Sequence, residues 1–127
     1  MELYFPTELG EQAAFVCAAA TAIIGLLVFL LPASALRLSA FQIGAIRPEG
    51  YAATRAAGAH HVGLGLAAIM LAQDWIYLTL GIAVGFAAFG RLVSCFTDRA
   101  LTLPNVAIFL LQVVLAAGPF AYVFGYL

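Results

Sequence analysis

Two histidines, His60 and His61, stand side by side in an apolar stretch, with Arg55 five residues before His60 and Arg91, Ser94 and Asp98 grouped further along. Imidazoles can ligate haem or metal, and a guanidinium can grip a phosphate through two parallel N–H donors. Adjacent helical residues diverge by about 100°, so His60 and His61 cannot both be axial ligands of one haem within one chain. No other histidine exists. For zinc, no Asp, Glu or Cys falls at matching depth, and no metal or other cofactor is expected. A nucleophile beside a base, or a pair of carboxylates, is not visible either, so an enzyme is the last of the functional classes that fit.

The elements that carry these residues follow from composition. The 127 residues are 65% hydrophobic and 9% charged, and a soluble domain of that make-up would expose a large apolar surface. Lipid is the solvent that suits it. A spanning helix needs about 20 mainly apolar residues, so residues 1–127 read as one all-α, integral membrane four-helix bundle. The spans fall at about 12–31, 51–72, 76–94 and 104–126. Pro32 closes the first, where its missing N–H does least harm. That span is longer than the apolar core of a signal peptide and follows Glu2, Glu8 and Glu11 with no basic residue, so it is expected to remain attached. Residues 33–50 mix Leu36, Leu38, Phe41 and Ile46 with Arg37, Ser39, Gln42 and Arg47, as a surface-lying amphipathic piece would. Gln73, Asp74 and Trp75 make a short turn that folds spans two and three into an antiparallel hairpin. Pro119 is expected to kink the fourth span.

Charge orients the bundle. Arg37, Arg47, Arg55, Arg91 and Arg99 are all the basic residues, and they lie at or near the connections after spans one and three. The amino terminus and the middle turn hold only acids. The positive-inside rule therefore puts the arginines in the cytoplasm and both termini outside, in the periplasm if the membrane is a bacterial inner membrane. Tyr4, Trp75, Tyr77, Tyr122 and Tyr126 map to the opposite boundary as an aromatic belt. On that topology Cys17 and Cys95 sit in different leaflets and stay free thiols.

Depth at about 1.5 Å per residue brings Thr21, His60, His61, Gly85 and Gln112 close to the midplane. Such a polar layer is tolerated when its members find one another, and Gln112 and Thr21 are the expected partners of the histidines. It suits either a structural network or a bound lipid or quinone. Arg55 and Arg91, about one turn inside the cytoplasmic boundary, can snorkel, pair with Glu49 or Asp98, or share a lipid phosphate with Ser94 and Asp98 nearby. Small residues line several faces: Gly25 in span one, Gly58, Gly63 and Gly65 in span two, Gly81, Gly85 and Gly90 in span three. They let backbones approach, within one chain or between chains, and span three, the richest, is expected to be central.

The run Gly25 to Pro32 (GLLVFLLP), then Arg55-Ala56-Ala57-Gly58 followed by Gly63 and Gly65, and above all Gly90-Arg91-Leu92-Val93-Ser94 with Asp98, resembles a small four-helix bacterial membrane family known as domain of unknown function 4345. The resemblance covers nearly the whole chain. It implies the four-helix fold and marks Arg55, Gly90, Arg91, Ser94 and Asp98, but implies no activity. Where the family carries an acid in the fourth span this chain has Gln112, which speaks against a proton-linked role.

The expected function is that of a small, non-catalytic accessory subunit of a larger membrane complex, respiratory or photosynthetic for example. The alternative is a membrane protein that binds or carries a lipid, quinone or other small molecule. Membrane lipids and either a larger membrane protein or further copies of the chain are the expected partners. Nucleic acid is not, since no basic run exists.

Overall fold

The computed structural model describes residues 2–127. They form α1 (Leu9–Leu30), α2 (Pro32–Leu38), a 3-10 turn (Ile43–Ala45), α3 (Pro48–Leu71), α4 (Asp74–Thr97) and α5 (Leu103–Val123), with no strand among the described residues. Proline opens α2 and α3 and is the second residue of α5, where its fixed φ suits a first helical turn.

The helices begin earlier than apolar content alone indicates. The first starts at Leu9 rather than near Gln12, the second at Pro48 rather than near Tyr51, the third at Asp74 rather than near Ile76. The cause is acidic first turns: Glu11, Glu49 and Asp74 sit where the helix dipole favours negative charge, so the helix runs on through the polar residues. The fourth ends sooner, at Val123 instead of Tyr126. There Gly125 takes a left-handed conformation (φ 77°), and Tyr126 N–H donates to Ala121 O at 2.8 Å, which closes the helix. Pro119 lies buried inside α5, which continues beyond it to Val123. The connection after α1 holds a second closure of this kind, with Ala40 left-handed (φ 69°) and Phe41 N–H donating to Leu36 O at 3.0 Å.

Three helices, α1, α4 and α5, are long and apolar enough to cross a membrane. The fourth long helix, α3, has the length (24 residues) but spends part of it on Glu49, Arg55, His60 and His61 in an Ala- and Gly-rich sequence.

Contacts give the arrangement. Gly25 of α1 meets Gly58 of α3, and Ala18 and Ala22 meet Gly65, so α1 and α3 run antiparallel. Cys17 lies against Val114 and Gly118, and Gly10 against Leu127, so α5 is antiparallel to α1 as well. Asp74 meets Tyr122 while Arg91 meets Gln112, making α4 antiparallel to α5. Laterally the helices follow the order α3, α1, α5, α4. Neighbours in sequence, α3 and α4 are joined through Ala72, left-handed at φ 49°, yet they touch lightly. The expectation that the third span is central is thereby corrected: α1 and α5 hold the middle, while the second and third spans form the expected antiparallel hairpin with only light contact. The reason is side-chain size. Beyond the buried Glu11 at its start, the inward stripe of α1 is Gly10, Ala14, Ala18, Thr21, Ala22 and Gly25, small enough to admit two neighbouring backbones, whereas the inward stripe of α4 carries Tyr77, Leu80 and Val84.

These larger side chains fill the core. Tyr77, Leu80 and Val84 pack with Ala14, Ala18, Ala68, Leu115 and Ala116, and Phe120 covers the cluster from α5. Large apolar residues such as Val16, Ile23, Phe86 and Val114 face outward, as expected of a bundle whose surroundings are hydrocarbon.

Candidate functional site

The polar residues fall into separate groups. The most developed lies between α4 and α5. Arg91 follows the inward stripe of α4, while Asn105 and Gln112, seven residues apart, share one face of α5. Arg91 Nε donates to Gln112 Oε1 at 3.1 Å and Nη1 donates to Asn105 Oδ1 at 3.0 Å. The orientation of Asn105 is itself fixed. Its Nδ2 donates to Ala100 O at 2.9 Å and contacts Cys95 Sγ at 3.3 Å, which leaves the amide oxygen for the guanidinium. Ala100 reaches that place because Arg99 is left-handed (φ 54°) and Ala100 N–H returns to Ser94 O. The short loop after α4 thus helps to aim the arginine.

Ser94 and Asp98 belong to the same end of α4 but to a different contact. Ser94 Oγ donates to Asp98 Oδ2 at 2.7 Å, closing the last turn. Arg55 is elsewhere. Its Nη1 donates to Phe29 O at 2.6 Å, a carbonyl in the last turn of α1, where the helix dipole is negative. Arg55 and Arg91 therefore bind different helices, and neither forms an ion pair with Asp98. Among the described residues the ion pair present is the exposed Arg47–Glu49, at 3.7 Å.

The midplane residues turn to their own helices. Thr21 is buried and donates to Cys17 O at 2.8 Å. His60 Nδ1 lies 2.9 Å from Ala56 O, and His61 Nδ1 lies 2.7 Å from Ala57 O. Because a carbonyl only accepts, each Nδ1 carries the proton in this contact and leaves Nε2 as an acceptor when the ring is neutral. The expected bonds from the histidines to Gln112 or Thr21 are not formed; one helical turn places a carbonyl closer, and Gln112 is taken by Arg91. His60 is exposed on the outer face of α3, and His61 is half-buried beside Gly25.

The glycines divide by neighbour. Added methyl groups at Gly25, Gly58 and Gly65 would each stand 2.6 Å from a backbone oxygen of the facing helix. At Gly81 the added methyl would touch the Phe120 ring at 3.4 Å, and at Gly85 that ring at 3.6 Å and Ala116 Cβ at 4.0 Å. At Gly63 and Gly90 they would meet nothing within 4 Å. Beside Gly85 an open apolar groove of about 450 Å³ is lined by Ile82, Phe86, Phe89 and Phe120.

At the opposite end, Tyr4 hydroxyl donates to the buried Glu11 carboxylate at 3.2 Å, and Tyr122 hydroxyl donates to Asp74 Oδ1 at 2.8 Å. Tyr77 departs from the expected belt. It is fully buried, edge-on to Tyr122 with ring centroids 5.5 Å apart, and its hydroxyl has no partner among the described residues. Helical phase explains this: Tyr77 lies three residues before Leu80 and seven before Val84 on the inward stripe, whereas Trp75 lies off it and is exposed. Cys17 and Cys95 are both free, the second buried beside Asn105. No group of three or more His, Cys, Asp or Glu residues is placed to hold a metal ion among the described residues.

Sequence reasoning missed Asn105 and the burial of Glu11. The seven-residue step from Asn105 to Gln112, one face of an otherwise apolar helix, was the available signal for the first.

No protein-family model, curated protein or solved structure matches the chain.

Proposed function

We propose that this protein is a small, non-catalytic accessory subunit of a larger membrane complex, with α1, α3, α4 and α5 all spanning a bacterial inner membrane and both termini on the periplasmic side. The observation that carries this reading is the outer face of α3. Ala52, Ala56, Ala59 and Gly63 recur there at steps of three or four, together with His60, and all are exposed. Lipid is a poor neighbour for that face, since an imidazole Nε2 acceptor finds no donor in hydrocarbon and small residues forgo contact area. A partner helix supplies both, by close backbone approach and a hydrogen-bond donor. The orientation follows from the five arginines, which the antiparallel packing gathers toward one end of the bundle, opposite Glu11 and Asp74.

Gly63 provides a selective test. A Cβ added there meets nothing within 4 Å and the position is exposed, so Gly63→Leu is expected to leave the isolated protein folded and to release a stoichiometric partner recovered with the wild type in mild detergent. Recovery of both proteins as the same partner-free species would overturn the reading. A second reading, binding of a lipid or quinone, is favoured by Arg91, a cation among neutral partners.

A further inference from the structure

Arg91 occupies a position where helical spacing calls for a small apolar side chain. The inward stripe of α4 runs Tyr77, Leu80, Val84, Ala88, Arg91 and Cys95 in steps of three or four, and every member but the arginine is buried. A cation on such a stripe within a membrane helix requires hydrogen-bond partners and a counter-charge. Gln112 and Asn105 provide the first but are neutral. The second is lacking within the chain: Asp98 is engaged by Ser94, and among the described residues no carboxylate stands within ion-pairing distance of the guanidinium. A guanidinium has five N–H donors, of which the two amides accept two, and the side chain is half-buried rather than closed off. Free donors, unbalanced charge and access therefore coincide at one group whose plane is already set by two fixed contacts.

We propose that Arg91 binds a phosphate oxyanion, supplied in the membrane by the headgroup of an anionic phospholipid. The guanidinium fork matches two phosphate oxygens, and because Gln112 and Asn105 hold it in advance, little ordering entropy opposes binding. Depth agrees. Arg91 lies six residues before the end of α4 at Thr97, about 9 Å along the axis, and Asn105, which holds Nη1, is the third residue of α5. A long side chain spans the remaining distance to the headgroup layer. The site needs only that α4 and α5 cross the membrane, so it stands apart from the accessory role.

The test is native mass spectrometry of the full chain released from nanodiscs that contain phosphatidylglycerol and phosphatidylcholine. Wild type is expected to retain phosphatidylglycerol preferentially, and Arg91→Gln to weaken that retention about tenfold or more. Arg91→Lys, which keeps the charge but not the fork, should fall between. Gln112→Glu is the decisive variant, since it leaves the arginine in place and gives it an internal counter-ion. It should lower phosphatidylglycerol retention while keeping or raising the melting temperature, an outcome that a purely structural role of Arg91 does not produce. Added inorganic phosphate separates the sources: displacement of the lipid identifies free phosphate as a competent ligand of the same site, and no displacement identifies the lipid headgroup. Equal retention of both lipids, or phosphatidylglycerol retention unchanged in Arg91→Gln and Gln112→Glu, overturns the proposal. If Arg91→Gln does not fold, Gln112→Glu carries the test alone.

Discussion

Gly25 of α1 and Gly58 of α3 face each other so closely that a methyl group on either would stand 2.6 Å from the carbonyl oxygen of the other. Such an approach brings Cα–H groups against carbonyls and gains dispersion along both backbones, which is what holds helices together when lipid removes the hydrophobic drive. Gly65 repeats the contact two turns away against Ala18 and Ala22.

Substitution at this seam is expected to be far more costly than at other glycines. Gly58→Ala should destabilise the bundle by roughly 1–3 kcal/mol, the range for overpacking a close contact. Gly81→Ala, whose methyl would meet only an adaptable phenyl ring, should change stability little. Gly63→Ala meets nothing and should be neutral or mildly stabilising through helix propensity. Thermal unfolding of the three variants in one detergent checks the order; a Gly58→Ala protein as stable as Gly63→Ala would contradict the seam.

Arg55 ties the same helix pair about one turn from Gly58. Loss of its bond to the Phe29 carbonyl in Arg55→Ala should cost about 1.5–2 kcal/mol, the lower part of the range for charged hydrogen bonds because the side chain is exposed. The effect should be smaller when the variant is made in a Gly58→Ala background, where the two helices have already moved apart. A double-mutant cycle measures this coupling, and strict additivity would show that the two contacts are independent.

Tyr77 carries a hydroxyl that the fold buries without a partner. Removing it while keeping the ring, as in Tyr77→Phe, should be neutral or stabilise by about 1 kcal/mol, because the desolvated group is relieved and the edge-on contact with Tyr122 survives. A clear loss of melting temperature would reveal a hydrogen bond to this hydroxyl in the native membrane.

Topology can be read with a membrane-impermeant thiol reagent. In a background where Cys17 and Cys95 are replaced by alanine, Asp74→Cys should react from outside the cell and Arg99→Cys should not. The reverse pattern would invert the bundle.

Much of this architecture follows from one-dimensional properties. Hydrophobic length marks α1, α4 and α5 because each is long and apolar enough to cross a bilayer core, and proline and short polar turns divide them. The gathering of Arg37, Arg47, Arg55, Arg91 and Arg99 toward one end is also legible, since an even number of helix reversals returns the chain to the same side. Helix pairing is not legible in that way. Gly81 and Gly85 are as small as Gly25 and Gly58, yet the first two meet a phenyl ring and the last two meet each other, a distinction that depends on which faces coincide in space. The polar residues show the same limit. Sequence depth places Gln112 level with His60, but the tertiary arrangement puts α5 beside α4, so Gln112 receives Arg91 while the histidines satisfy themselves one turn back along α3. The sequence by itself determined the all-α class, the three long apolar helices and the identity of the few residues able to carry charge among them. Only the packing decided which of those residues meet, because a contact between helices depends on rotation about two axes and a choice of neighbours, and neither is encoded in the hydropathy of a single segment.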